Sequence, residues 1–149
     1  QYALSPDDQV GFADAYQFLV ISEESLADLN RRLADPLPMN RFRPNIVIGG
    51  SDLPFAEDYV RRFKLGDLLF SAVKPCARCI MTTQDQMTGS RDVPSPMKAM
   101  GRIRMSADRR VPGPLFGWNV TPRGEGRLSV GDVARVIEER PEGWALKRR

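Results

Sequence analysis

The stretch Leu65-Gly-Asp-Leu-Leu-Phe-Ser-Ala-Val-Lys-Pro-Cys-Ala-Arg-Cys-Ile-Met-Thr-Thr83 (LGDLLFSAVKPCARCIMTT) holds both cysteines of the chain and a strand signal ahead of them. The segment from Leu65 to Phe70, a glycine-aspartate turn pair among apolar residues, opens a strand directed towards Cys76. Beyond Cys79 the alternating, partly β-branched Ile-Met-Thr-Thr argues for strand over helix. The same turn-then-strand pattern returns at Val130-Gly-Asp-Val-Ala-Arg-Val-Ile137. Upstream, Phe18-Leu-Val-Ile21 and Asn45-Ile-Val-Ile-Gly-Gly50 read as short buried strands, and Leu115-Phe-Gly-Trp-Asn-Val120 as another.

One amphipathic helix stands among these strands. Ser22 supplies an N-cap hydroxyl, and Glu23 and Glu24 place two acids in the first turn. Leu26, Leu29 and Leu33 recur at helical spacing, Arg31 and Arg32 sit near the C-terminal end, and Pro36 and Pro38 stop the helix. Pro54 to Phe63 reads as a short helix or an irregular connection. From Gln86 to Pro114 the chain is rich in Pro, Gly, Ser, Met and Arg, with a turn or two of helix expected between Met97 and Met105. A loop of that length inside a compact domain is usually functional or disordered. Short strands, glycine turns and little helix add up to a mainly β domain, expected to close as a barrel.

Composition sets the bounds. With 149 residues the chain is long enough for one core and short for two. It is 42% apolar and 28% charged, an ordinary balance for a globular domain. No run reaches the roughly 18–20 apolar residues of a membrane span, and nothing reads as a signal peptide. Gln1 in place of Met reads as the start of a piece of something longer. The net charge of +3, from 22 Lys and Arg against 19 Asp and Glu, is mildly basic. Part of the excess sits in the terminal Lys147-Arg148-Arg149. Two cysteines without a secretory context suggest reduced thiols and a cytoplasmic setting.

The Cys-x-x-Cys spacing admits several chemistries. A structural zinc site needs four ligands, and an iron–sulfur cluster four cysteines; two Cys and no His fail both counts. A thioredoxin-like couple places its first Cys at a helix N-terminus, which the β-branched residues here disfavour. Two small buried hydrophobes without chemistry remain an alternative. A further reading needs a single thiolate, offered to a soft, high-valent metal whose other ligands come from a cofactor. Lys74 or Arg78 could then favour the thiolate, depending on where the fold points them.

Together with Met39-Asn-Arg-Phe-Arg-Pro-Asn45, the pattern Lys74-Pro-Cys-x-Arg-Cys-x-x-Thr-Thr-x-Asp-x-x-Thr-Gly89 resembles the MOSC domain, the C-terminal domain of molybdenum cofactor sulfurases. The branch it is most similar to is that of the amidoxime-reducing component and its bacterial relatives, which reduce N-hydroxylated compounds. Phe12-Ala-Asp14, Ile21 to Asn30, Pro114-Leu-Phe-Gly117 and Val130-Gly-Asp132 support the match. It covers about Val10 to Glu138, so residues 1–149 are expected to form a single MOSC domain, without the family's N-terminal region that helps enclose the cofactor.

The resemblance implies a closed β-barrel of the pyruvate-kinase-domain type. It implies that Cys79 ligates molybdenum beside the pterin dithiolene as both metal ligand and catalytic centre, and that Cys76 is structural. Arg43 and Asn45 are expected to hold the pterin and its phosphate. An arginine fork matches phosphate bidentately, an amide both donates and accepts, and Pro44 stiffens the loop between them. Without the family, Arg41 and Arg43 would pass as solvated loop charges. Asp14, Ala15 and Tyr16 are weaker cofactor contacts, and Ala77 offers a backbone group.

The function so implied is a molybdenum-cofactor-binding domain of an oxidoreductase that reduces small N-oxygenated substrates. Its electron donor would be a separate protein of ferredoxin or flavoprotein type, since no ferredoxin-like cysteines follow Trp144. Protons would come from water, the cofactor or a carboxylate such as Asp85. The alternative is a carrier of sulfur or cofactor without turnover, as in the sulfurase branch. There the domain is fused to a pyridoxal-phosphate lyase, for which no Schiff-base lysine is marked here. A nucleic-acid surface through Arg102, Arg104, Arg109 and Arg110 lacks interleaved aromatics. The chain itself is expected to retain little cofactor and to be inactive alone. Two or three charge-assisted bonds of about 1.5–3 kcal/mol barely offset an association cost of about 4–15 kcal/mol.

Overall fold

The computed structural model describes residues 16–147. Six strands form one sheet: β1 (Phe18–Ser22), β2 (Ile46–Ile48), β3 (Val60–Leu65), β4 (Leu68–Ala77), β5 (Leu115–Arg123) and β6 (Ala134–Glu139). Their spatial order is β2-β1-β5-β4-β3-β6. Two α-helices, α1 (Glu23–Asn30) and α2 (Met97–Ile103), and three 3₁₀ turns complete the described elements. β1 and β2 run parallel, joined by a crossover through α1, while the other strand pairs are antiparallel.

Strand alternation sorts side chains onto two faces. Val20, Phe63, Leu65, Leu68, Phe70, Trp118 and Val120 pack together on one. Ile21 and Phe116 point the other way and meet Leu29 of α1, Met100 of α2, Leu37 and Phe42. The sheet is thus a curved middle layer, lined within by its own side chains and covered outside by both helices. Where β1 meets β5 the contact demands glycine. At Gly117 (φ +82°) a Cβ would lie 2.6 Å from Ile21 Cγ1 and 2.7 Å from the Val20 carbonyl oxygen.

The expected closed barrel is corrected: the sheet is an open half-barrel. The outer edges of β2 and β6 find no partner strand among the described residues. β2 is only three residues long, too short to extend the ladder far. An apolar cavity of about 50 Å³, lined by Val20, Ile48, Val60, Phe63, Trp118 and Val136 among others, marks the gap between the two edges.

Several elements differ from their sequence reading. Gly66 (φ +56°) and Asp67 form the hairpin turn between β3 and β4, so the strand begins at Leu68 rather than Leu65. The ambiguous segment after Pro54 divides into a 3₁₀ turn at Ala56–Tyr59 and strand β3. The charges of Arg61, Arg62 and Lys64 on the exposed side of β3 mask its period. Helix α1 ends at Asn30, whose side chain exchanges two hydrogen bonds with the Leu37 backbone, of 2.9 and 3.0 Å. Arg31 and Arg32 fold back onto Asp28 at 2.8 and 3.0 Å instead of continuing the helix. Ile80–Thr83, expected as strand, is a 3₁₀ turn. The Thr82 and Thr83 hydroxyls donate to the carbonyls of Cys79 and Ile80, at 3.1 and 2.7 Å, and override the β preference.

Candidate functional site

Strand β4 delivers the cysteine loop. Cys76 lies near its end and is half-buried, whereas Cys79 is exposed, and both thiols are free. Cys79 sits in extended backbone immediately before the Ile80–Thr83 turn. Its carbonyl accepts from the Thr82 backbone N–H (3.3 Å) and the Thr82 hydroxyl (3.1 Å). Thr82 is itself buried. Thr82 therefore fixes the backbone of Cys79, Thr83 that of Ile80, and the Cys79 sulfur makes no hydrogen bond among the described residues.

The next motif residues build a second brace. Asp85 Oδ1 accepts from the backbone N–H groups of Met87 (2.9 Å) and Thr88 (2.8 Å) and from the Thr88 hydroxyl (3.0 Å). Gly89 (φ +73°) donates its N–H back to the Asp85 carbonyl at 2.9 Å. The other carboxylate oxygen meets Arg41 Nη2 at 3.4 Å. The Thr88 N–H foremost, then its hydroxyl and the Met87 N–H, hold the Asp85 carboxyl below the usual carboxylate range, with Arg41 adding attraction. Asp85 is therefore an ionised scaffold of the loop.

The second loop comes from the 3₁₀ turn Met39–Phe42 and the residues before β2. Arg41 is not the solvated charge its position suggests. It is 4% exposed, donates to the Pro94 carbonyl at 3.1 Å and faces Asp85, while its Nε finds no partner among the described residues. Arg43 is the exposed one, held in the left-handed region (φ +53°) right after the turn. A non-glycine residue there is uncommon and carries some strain. Asn45 is exposed, but its Oδ1 accepts from the Leu19 backbone N–H (2.8 Å) and its own N–H donates to the Leu19 carbonyl (2.9 Å). That pinch ties β1 to the start of β2. The Asn45 amide nitrogen is left without a partner among the described residues, and its oxygen keeps a second lone pair.

Arg78 joins the two loops. Its backbone N–H donates to the Pro114 carbonyl at 2.8 Å. Its Nη2 donates to the Phe42 carbonyl at 2.6 Å, and its Nη1 reaches Cys76 Sγ at 3.1 Å. The guanidinium also lies over the Phe42 ring, 6.0 Å from the centroid. Neither cation considered as a neighbour of Cys79 is aimed at it: Arg78 turns to Cys76, and Lys74 sits 5.2 Å above the Tyr16 ring. Tyr16 is half-buried, and burial raises its hydroxyl above the usual phenol range. Ala77 closes β4, its carbonyl 3.9 Å from Cys76 Sγ. Asp14 and Ala15 lie outside the described residues. Sequence reading missed the roles of Arg78 and Arg41; the sole signal was a charge set within each motif.

Among the described residues no three Cys, Asp or Glu side chains converge as a metal site. A metal at Cys79 would therefore draw its other ligands from a cofactor. The exposed thiol, the Arg43 guanidinium and the free Asn45 amide fit a polar, anionic group that brings its own sulfur donors.

Comparison with known proteins agrees. The MOSC domain family matches residues 7–135. The chain is 40% identical over 136 residues to mitochondrial amidoxime-reducing component 1 of Homo sapiens, covering 89% of this chain and 40% of that protein. It is 35% identical over 134 residues to mitochondrial amidoxime reducing component 2 of Bos taurus, covering 87% and 40%. Over 137 residues it is 32% identical to a molybdenum cofactor sulfurase of Arabidopsis thaliana, covering 85% of this chain and 17% of that one. The chain thus spans well under half the length of these relatives. With both signature motifs at one site and the family matched over most of its length, the chain belongs to the MOSC domain family.

Proposed function

We propose that this chain is the molybdenum-cofactor-binding domain of an oxidoreductase acting on N-oxygenated small molecules, with Cys79 as the protein's ligand to molybdenum. The observation that carries the reading is the inequivalence of the two thiols. Cys79 is exposed and unengaged, on a backbone braced by Thr82, while Cys76 is tied to Arg78. When bound, the cofactor supplies the redox change and the metal centre that accepts substrate oxygen.

The chain's own residues bind and orient. Cys79 supplies one sulfur at a fixed place. Arg43 offers the phosphate a guanidinium that is unengaged among the described residues, and a fork outperforms a point charge there. Asn45 donates through its amide nitrogen from a position pinned to β1. Ala77 at the end of β4, Tyr16 beside Lys74, Asp14 and Ala15 complete the set of proposed contacts. Asp85 holds the loop rather than a transferable proton, so protons reach the substrate from water or the cofactor.

The electron donor is a separate protein of ferredoxin or flavoprotein type. Reduced, free cysteines suit a reducing compartment such as the cytoplasm, although the animal relatives carry "mitochondrial" in their names. No helix among the described residues is long and apolar enough to cross a membrane.

A second reading, a sulfur or cofactor carrier without turnover, is favoured by that same exposed thiol and by the sulfurase match. The full-length protein, loaded with cofactor and supplied with a chemical reductant, separates the two. Consumption of an amidoxime or N-hydroxylated probe, lost in Cys79→Ala, supports the oxidoreductase. Bound molybdenum without turnover favours the carrier. Wild-type protein that takes up no molybdenum refutes both.

A further inference from the structure

We infer that the β3–β6 ladder carries a second binding site, which takes a phosphate dianion, free or as a small monoester, between Lys64 and Arg135. A cavity of about 240 Å³ lies there, lined by Lys64, Gly66, Asp132, Val133 and Arg135. It sits beside the start of β4, whereas Cys79 follows the end of that strand. The 10 residues of β4 set the two places about 30 Å apart. Neither signature motif contributes to the cavity, so the inference is independent of the cofactor reading.

Strands β3 and β6 place charged side chains opposite one another. Arg62 faces Glu138, and its Nε meets that carboxylate at 2.5 Å. Further along the ladder the complementarity is lost, and Lys64 stands opposite Arg135. Like charges directly across a ladder are destabilising, and an anion held between them reverses the sign of that contact. No protein group among the described residues plays that part. Lys64 reaches only Asp67, at 4.0 Å, and the Asp67 side chain is fully exposed. The Arg135 side chain is exposed and has no hydrogen bond or ion pair among the described residues. Asp132 is the one carboxylate in the lining, and it is engaged by its own loop. Its Oδ2 accepts the Ser129 N–H at 2.8 Å, and its own N–H donates to the Ser129 carbonyl at 3.1 Å. The walls are fixed as well. A Cβ at Gly66 would lie 3.3 Å from Asp132 Oδ2 and 3.4 Å from the Arg127 carbonyl oxygen, so hairpin turn and loop pack directly together. The cavity thus offers a guanidinium fork and an ammonium from neighbouring strands, a pair that suits a doubly charged tetrahedral anion better than a single carboxylate.

The test is an NMR titration of the isotope-labelled full-length protein with inorganic phosphate and, separately, with methyl phosphate. Ionic strength is held constant with chloride, and the backbone amides of Gly66, Val133 and Arg135 are read. Saturable shifts in the millimolar range are expected at those amides. Lys64→Gln and Arg135→Gln should each weaken binding at least about tenfold, and Arg43→Lys should leave it unchanged. Without phosphate neither glutamine variant should melt below wild type, because each removes a repulsion. With phosphate, wild type should gain more in Tm than either variant. Tighter binding of methyl phosphate assigns the site to monoesters, and equal or weaker binding assigns it to the free ion. Shifts that grow without saturating, or that persist undiminished in Arg135→Gln, overturn the inference. Saturation confined to the amides of Arg43 and Asn45 also overturns it, while leaving the proposed function standing.

Discussion

Two arginines separated by Phe42 differ in what their loss would do. Arg41 is buried between Pro94 and Asp85, so Arg41→Lys strands at least one of those acceptors. The expected loss is about 1–3 kcal/mol, visible as a lower Tm with little change in any ligand affinity specific to the site. Arg43 is exposed, so Arg43→Lys should leave stability within about 0.5 kcal/mol yet weaken cofactor binding, because the fork is lost. Equal effects of the two on Tm would contradict this division. Asp85 adds a pH dependence of definite sign. Its carboxyl is depressed in the fold, so its contribution is complete above the ordinary aspartate range near 3.9 and is lost as pH falls through the lower folded value. Acid melts of Asp85→Asn should show a shallower loss below about pH 4 than wild type. A steeper loss would overturn the scaffold role.

Much of the site could be located from its residue types but not assigned in detail. The motif singles out Cys79, and its sulfur is exposed and unengaged among the described residues. What a linear reading cannot supply is direction. Arg78 is next to Cys79 in the chain and bonds Cys76, and Asn45 commits its oxygen to Leu19. Such pairings span 2 residues in one case and 26 in the other, and only the fold decides them.

At the scale of elements, local chemistry fixed the starts better than the ends. Ser22 caps α1 as its hydroxyl requires, accepting the Ser25 N–H at 3.2 Å. The far end depends on Asn30 finding Leu37, which no period announces. The Thr-Thr and Asp-x-x-Thr-Gly motifs read as strand or loop by propensity, yet each is a braced turn, the first of them directly behind Cys79. Replacing Thr82 with Val keeps the volume and removes the hydroxyl bond to Cys79. Its expected signature is faster backbone exchange at Ile80 to Thr83 with β4 unaffected; uniform exchange would contradict the brace. Gly117 offers a harsher trial. Gly117→Ala forces a Cβ against Ile21 and Val20 at positive φ, with an expected cost of roughly 2–4 kcal/mol from overpacking and backbone strain together. A Tm equal to wild type would mean that β1 and β5 do not approach as described.

Across the whole molecule one buried pair links distant parts. Asp58 meets Arg104 at 2.6 Å, with both side chains 7% exposed, and accepts the Trp118 indole N–H at 2.8 Å. Asp58→Ala leaves a buried guanidinium and an indole donor unpaired, with an expected loss of about 3–5 kcal/mol in global unfolding. The architecture was legible as mainly β, because alternation and glycine turns are local. Closure was not, since it depends on what meets the edges of β2 and β6. The central claim concerns a single sulfur, and X-ray absorption at the molybdenum edge of the cofactor-loaded full-length protein reads it most directly. The account predicts that Cys79→Ser loses one sulfur from the molybdenum shell while Cys76→Ser loses none. Loss of a sulfur in Cys76→Ser, or an unchanged shell in Cys79→Ser, would contradict it.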